Sequence, residues 1–128
     1  MSANTIKNNF KISKKKKFIH IKAFDVQHGM IKSTAYVFKN IAYISDCNHI
    51  PSKYFKFLRN LDYLIIDCLK RNKHPSHFNF SEAVDLSKKI KAKKTILTNL
   101  HVDLDYKKLK RKLPKNIIPA YDGLNFNF

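Results

Sequence analysis

Few side chains in this 128-residue sequence can do chemistry, and they recur at particular places. His28 closes the run FDVQH, Asp46 follows AYIS, Asp67 follows YLII, and His101 and Asp103 follow TILTNL. His74 and His77 bracket Pro75 and Ser76, immediately before FNFSEAV. If the apolar runs are strands, these imidazoles and carboxylates collect at the carboxyl ends of strands, the edge of an α/β sheet where ligands bind. A single Asp after a buried strand also serves to make a turn or start a helix. It is the joint occurrence of Asp and His at several strand ends that points to chemistry. Imidazole nitrogen and carboxylate oxygen together suit a borderline divalent cation such as zinc or manganese, with zinc–ligand distances of about 2 Å. An imidazole that titrates near neutrality can also move a proton. The HPSH stretch has a plainer reading, in which His74-Pro75 enforces an extended turn and His77 helps cap the next helix.

The elements that must position these residues follow from apolar period and turn chemistry. FIHIKAFDV alternates at period two, TAYVF and IAYISD are short β-rich runs separated by Lys39-Asn40, and YLIIDC is almost continuously apolar, so four strands are expected. A short helix is expected over residues 51–60, where Tyr54, Phe55, Leu58 and Leu61 recur at helical spacing behind Pro51. NFSEAVDLSKKIKAKK carries Asn79 or Ser81 as a cap, Glu82 in the first turn and lysines in the last. TILTNL reads as a buried strand, DLDYKKLKRKL as a helix stopped by Pro114, and NIIPAYDGLNF as two extended segments turning at Asp122-Gly123. Strands and helices alternating from residue 41 onward imply an α/β layer with helices packed on a sheet.

Composition bounds the rest. A chain of 15.1 kDa makes one domain with a single core. Residues 1–17 hold one Phe and two Ile among polar residues and end in four lysines, so they are expected to be a basic, disordered lead-in to a domain spanning 18–128. The formal charge is +17, but arginine, which reads bases and phosphates bidentately, occurs only at 59, 71 and 111. Most of this charge is expected to be a solvated surface, with nonspecific polyanion binding as the alternative. Cys47 and Cys68 each end an apolar run, as buried reduced thiols do. No run approaches the roughly 18 apolar residues of a membrane span, and a cytoplasmic location is expected.

The order QHG, AYISDC, LDYLIIDCLKRNKHPSHFNFSEAVDL, KKTILTNLHVDLDYKKLKRKLP, PAYDGL resembles the C-terminal half of a metallo-β-lactamase-fold hydrolase, in particular the phosphoribosyl cyclic phosphate phosphodiesterase group. The resemblance implies half of an αββα sandwich, a mixed sheet with helices packed on one face, and a parent activity of hydrolysing phosphodiester-type substrates at a dinuclear zinc or manganese site. It implies His28 as the third-motif histidine, Asp46 as the carboxylate bridging two metals, and His77 as the catalytic histidine beside the substrate phosphate. In the last motif, where many relatives place a histidine after the threonine, this chain has Asn99. His101 lies two residues further on, on the same face if the strand continues, and becomes the third metal-ligand candidate, with His74 and Asn99 assigned to substrate. The family's His-x-His-x-Asp-His does not occur in this sequence. The expectation is a truncated or split hydrolase that binds metal weakly alone and needs an N-terminal half or a second copy as partner. A non-enzymatic remnant or a Lys-rich polyanion-binding protein is the alternative.

Overall fold

A computed structural model describes residues 8–14 and 17–127. Seven strands form one mixed sheet in sequential order: β1 (Asn9–Lys14), β2 (Lys17–His28), β3 (Ile31–Phe38), β4 (Ile41–Ile44), β5 (Tyr63–Asp67), β6 (Lys94–Thr98) and β7 (Ile117–Pro119). The first four pair antiparallel, and β4 to β7 run parallel. The parallel half needs crossovers, supplied by a 3-10 helix over Ser52–Leu58, by α1 (Phe80–Ile90) and by α2 (Tyr106–Lys112). The α/β sheet with helices on one face is therefore as the alternating pattern implies.

Two departures have local causes. Asn9–Lys14, inside the stretch expected to be a disordered lead-in, is a strand, while residues 1–7 and 15–16 lie outside the described residues. Five of its six residues are exposed, so no apolar alternation marks it; it is held by its pairing with β2, Asn9 opposite Lys22 through Lys14 opposite Lys17. In the C-terminal stretch only Ile117–Pro119 pairs as a strand. Beyond it the Ala120 N–H donates to the Leu97 carbonyl at 2.8 Å, and Phe126 stacks on Tyr63 at 4.3 Å.

Helix α1 begins where its cap chemistry says it should. The Asn79 side chain accepts from the Glu82 N–H at 2.9 Å, and the Glu82 carboxylate accepts from the Asn79 N–H at 3.0 Å, a reciprocal capping box. Asn79→Ala is expected to lower the unfolding free energy by about 1 kcal/mol, measured by urea denaturation. Inward, Ala83 and Ile90 of α1, Leu58 and Leu109 pack with Phe24, Val26, Ile44, Leu64, Ile66 and Leu97 on one sheet face. Ser87 donates to the Thr95 hydroxyl at 2.7 Å, which satisfies both buried groups where α1 crosses β6. The opposite face carries a cross-strand row, Tyr36, Tyr43, Ile65, Ile96 and Ile118, on which Tyr43 is 40% exposed.

This topology selects one edge. Strands β4, β5 and β6 are parallel, and β2, two antiparallel steps from β4, points the same way. The carboxyl ends of all four and the segments that follow lie on that side, carrying His28, Asp46, Asp67 and Asn99. Among the described residues, no helix is long and apolar enough to cross a membrane.

Candidate metal and catalytic site

The turn after β2 brings the first histidine into place. Gly29 has φ +61°, and a Cβ there would lie 3.0 Å from the Ser76 Cβ, so a side chain would push apart the β2–β3 turn and the loop carrying residues 74–77. Asn48 ties the two together: its side-chain oxygen accepts from the Gly29 N–H at 3.0 Å, and its amide donates to the Pro75 carbonyl at 3.1 Å. Asp46 takes a left-handed backbone, φ +49°, in the loop after β4, whose carbonyl accepts from the Ser33 hydroxyl at 2.8 Å. The 74–77 loop is held at its root by the Phe78 N–H donating to the Cys47 carbonyl at 2.8 Å.

These pieces place one ligand atom from each of His28, Asp46 and His77 within 4.8 Å of one another. The two imidazoles meet through Nε2, 3.2 Å apart, although the residues are 49 positions apart in sequence. Behind them lies Asp67, fully buried at the end of β5. Its carboxylate accepts from His77 Nδ1 at 2.9 Å, from the Asn99 amide at 2.9 Å and from the Cys47 N–H at 3.3 Å. The Asn99 amide also lies 3.4 Å from His77 Nδ1. The shorter contact to the carboxylate decides the proton: Nδ1–H donates to Asp67, and the His77 Nε2 lone pair is turned toward His28 and Asp46. The Nε2 lone pair is thereby left free to take a proton or a metal ion.

His74 packs against His77, ring centres 5.1 Å apart, and its Nδ1 accepts from the Ser76 N–H at 3.3 Å. Burial, with the neighbouring His77 and Lys70, pushes the His74 imidazole below its ordinary range, so at neutral pH it offers a hydrogen bond and no charge. Cys47 and Cys68 are free and buried on either side of Asp67; burial, reinforced by the Asp67 charge, pushes both thiols up to about 12. They are protonated packing groups.

Of the residues singled out from sequence, His28, Asp46 and His77 converge, with Asn99 attached to the same cluster through Asp67. His101 is outside that group. Its backbone N–H donates to the Leu69 carbonyl at 2.8 Å, and its ring pairs with Asp103 at 2.9 Å, 54% exposed. The period-two reasoning that aimed it at the site fails because β6 ends at Thr98 and Asn99 turns at φ +61°. Asp67 is one of the strand-end carboxylates legible in the sequence but has no role assigned to it there, and Asn48 is not among the candidates. An Asp closing the most apolar run of the chain was the available signal for Asp67, while Asn48 had none.

Residues 2–99 match the family described as "Beta-lactamase superfamily domain". The solved structure of a new diphosphatase from the PhnP family superposes with a TM-score of 0.88 at 32% identity, over 96% of this chain and 47% of that one. The metallo-beta-lactamase fold protein YhfI from Bacillus subtilis gives 0.69 at 17% identity, over 93% of this chain and 53% of that one. The short form of human tRNase Z gives 0.65 at 20%, over 91% and 46%. A Porphyromonas gingivalis protein named octanoyltransferase is 29% identical over 102 residues, which are 77% of this chain and 20% of that protein. This chain thus spans about half the length of the solved structures it resembles and a fifth of that curated relative.

Proposed function

The chain belongs to the beta-lactamase superfamily domain family, and on that premise we propose that it forms one half of a metal-dependent hydrolase acting on phosphodiester- or diphosphate-type substrates. The observation that carries this reading is the convergence of His28, Asp46 and His77 at one sheet edge, with Asp67 buried behind His77. The likeness to the PhnP-family diphosphatase supports the substrate class. Two imidazoles and a carboxylate are a donor set that fits zinc or manganese. Bound there, such an ion supplies Lewis-acid polarisation of a phosphoryl oxygen and lowers the pKa of water. His28 and Asp46 are the ligands in this proposal. His77, after taking up a proton at Nε2, delivers it to the leaving oxygen, Asp67 fixes its tautomer, and His74 donates a hydrogen bond to the substrate phosphate.

Two protein ligands are fewer than the three a catalytic site uses, so in this proposal further ligands come from a partner segment, either an N-terminal half or a second copy. The apolar row beside Tyr43 on the sheet face away from the helices supports such a partner. Protonated buried thiols suit a reducing compartment, and a cytoplasmic location is proposed on that ground.

Calorimetric titration of the chain with zinc and with manganese tests the site. A Kd on the order of micromolar, about −8 kcal/mol, is expected. Asp46→Ala should weaken it tenfold or more, while His101→Ala binds as wild type. Equal binding by wild type and Asp46→Ala would remove the site from this cluster, and loss on His101→Ala would restore the ligand set expected from sequence.

A further inference from the structure

His28, Asp46 and His77 share a site because three loops meet: the β2–β3 turn at Gly29, the segment after β4 and the 74–77 loop. Backbone bonds fix the roots of these loops. The Gln27 N–H donates to the His49 carbonyl and the Asn48 N–H to the Gln27 carbonyl, both at 2.9 Å, and the Phe78 N–H reaches the Cys47 carbonyl. The tips are held differently. Apart from the contact of the two imidazoles themselves, the hydrogen bonds joining the Gly29 turn to the 74–77 loop run, among the described residues, through the side chain of Asn48. Its partners lie 19 and 27 positions away, Gly29 beside His28 and Pro75 two residues before His77, while Asn48 itself follows Asp46 by two. One amide thus ties all three loops.

The partners dictate the chemistry of this brace. A backbone N–H only donates and a proline carbonyl only accepts, so the position needs one acceptor and one donor on a short side chain. Asparagine supplies both, whereas aspartate has no donor and alanine has neither. Resting on the hydrolase reading of the cluster, we propose that Asn48 is a positioning residue, which sets the distance between the loops of the proposed ligands His28 and Asp46 and the loop of the proton donor His77. That distance decides whether a polarised phosphoryl group and the His77 Nε2 can address the same bond. The amide is partly open to solvent, where water replaces its lost bonds, so it adds little to global stability. Its effect is on geometry.

The test is proton NMR of the full chain without metal, followed by titration with zinc. In wild type the His28 and His77 rings, centres 4.7 Å apart, should give a ring-to-ring NOE cross-peak. Asn48→Ala should abolish it and speed exchange of the Gly29 N–H by about tenfold or more. Asn48→Asp separates the two ends of the brace: it still accepts from Gly29, whose exchange should stay within about threefold of wild type, but it cannot donate to Pro75, so the cross-peak should again be lost. Both variants should melt within about 5 °C of wild type. Zinc should bind Asn48→Ala about tenfold more weakly, the lower end of what an orienting residue behind metal ligands contributes. A cross-peak that persists in both variants, zinc affinity in Asn48→Ala equal to that of wild type, or a cross-peak lost only together with a larger drop in melting temperature would each overturn the proposal. The cross-peak is read without metal, so a wild type that shows it yet binds neither zinc nor manganese would overturn the hydrolase reading and not the brace.

Discussion

His77→Ala is expected to lower turnover of a phosphodiester by about a hundredfold or more in a chimera that supplies the further ligands of the proposal, because the substitution removes the imidazole whose Nδ1 is held by the buried Asp67 and whose Nε2 faces His28. The assay joins this chain behind the part of the PhnP-family diphosphatase that it does not match, and follows release of nitrophenolate from bis(p-nitrophenyl) phosphate. Metal content is measured alongside the rate. Proton delivery predicts that rate falls while bound metal changes less than threefold, since an ion in the completed site has ligands elsewhere. A parallel fall in metal content would make His77 a ligand, and a wild-type rate would return HPSH to the role of a turn leading into a capped helix. His74→Ala should act differently, raising KM more than it lowers kcat, because a neutral imidazole beside the cluster holds phosphate without transferring its proton.

Asp67→Ala should cost the fold about 3 kcal/mol, a large share of the 5 to 15 kcal/mol that stabilises an ordinary domain. Three donors converge on this carboxylate: His77 Nδ1, the Asn99 amide and the Cys47 N–H. The carboxylate itself is shut off from solvent, so the groups left behind have no water at hand to replace it. Urea denaturation measures the loss, and a cost below 1 kcal/mol would mean that the three donors find other partners. Asp67→Asn keeps the volume and one acceptor and should be milder in stability. It still fails to hold Nδ1–H on His77, so in the completed site its turnover should fall nearly as far as that of His77→Ala.

Much of this arrangement is written locally. The period-two alternation of β2, the Asn79–Glu82 box that starts α1 and the Pro114 that follows α2 are decided within a few residues by side-chain direction and backbone donors, so they are legible one segment at a time. The alternation of strands and helices from residue 41 carries the parallel half of the sheet, and strand ends bearing His28 and Asp46 carry half of the site. The pairing of β1 with β2 left no trace, because a strand exposed on nearly every residue needs no apolar pattern and is held by backbone bonds to a neighbour. His101 was misplaced because the direction of a side chain beyond a strand depends on where the strand stops, and here a left-handed Asn99 ends the alternation. The contact between His28 and His77 depends on sheet order, on the close approach of Gly29 to Ser76 and on Asn48 bridging two loops. No local propensity encodes these conditions; they exist only when segments far apart in the chain have packed, and the same packing seals Asp67 from water and makes it the anchor of the site.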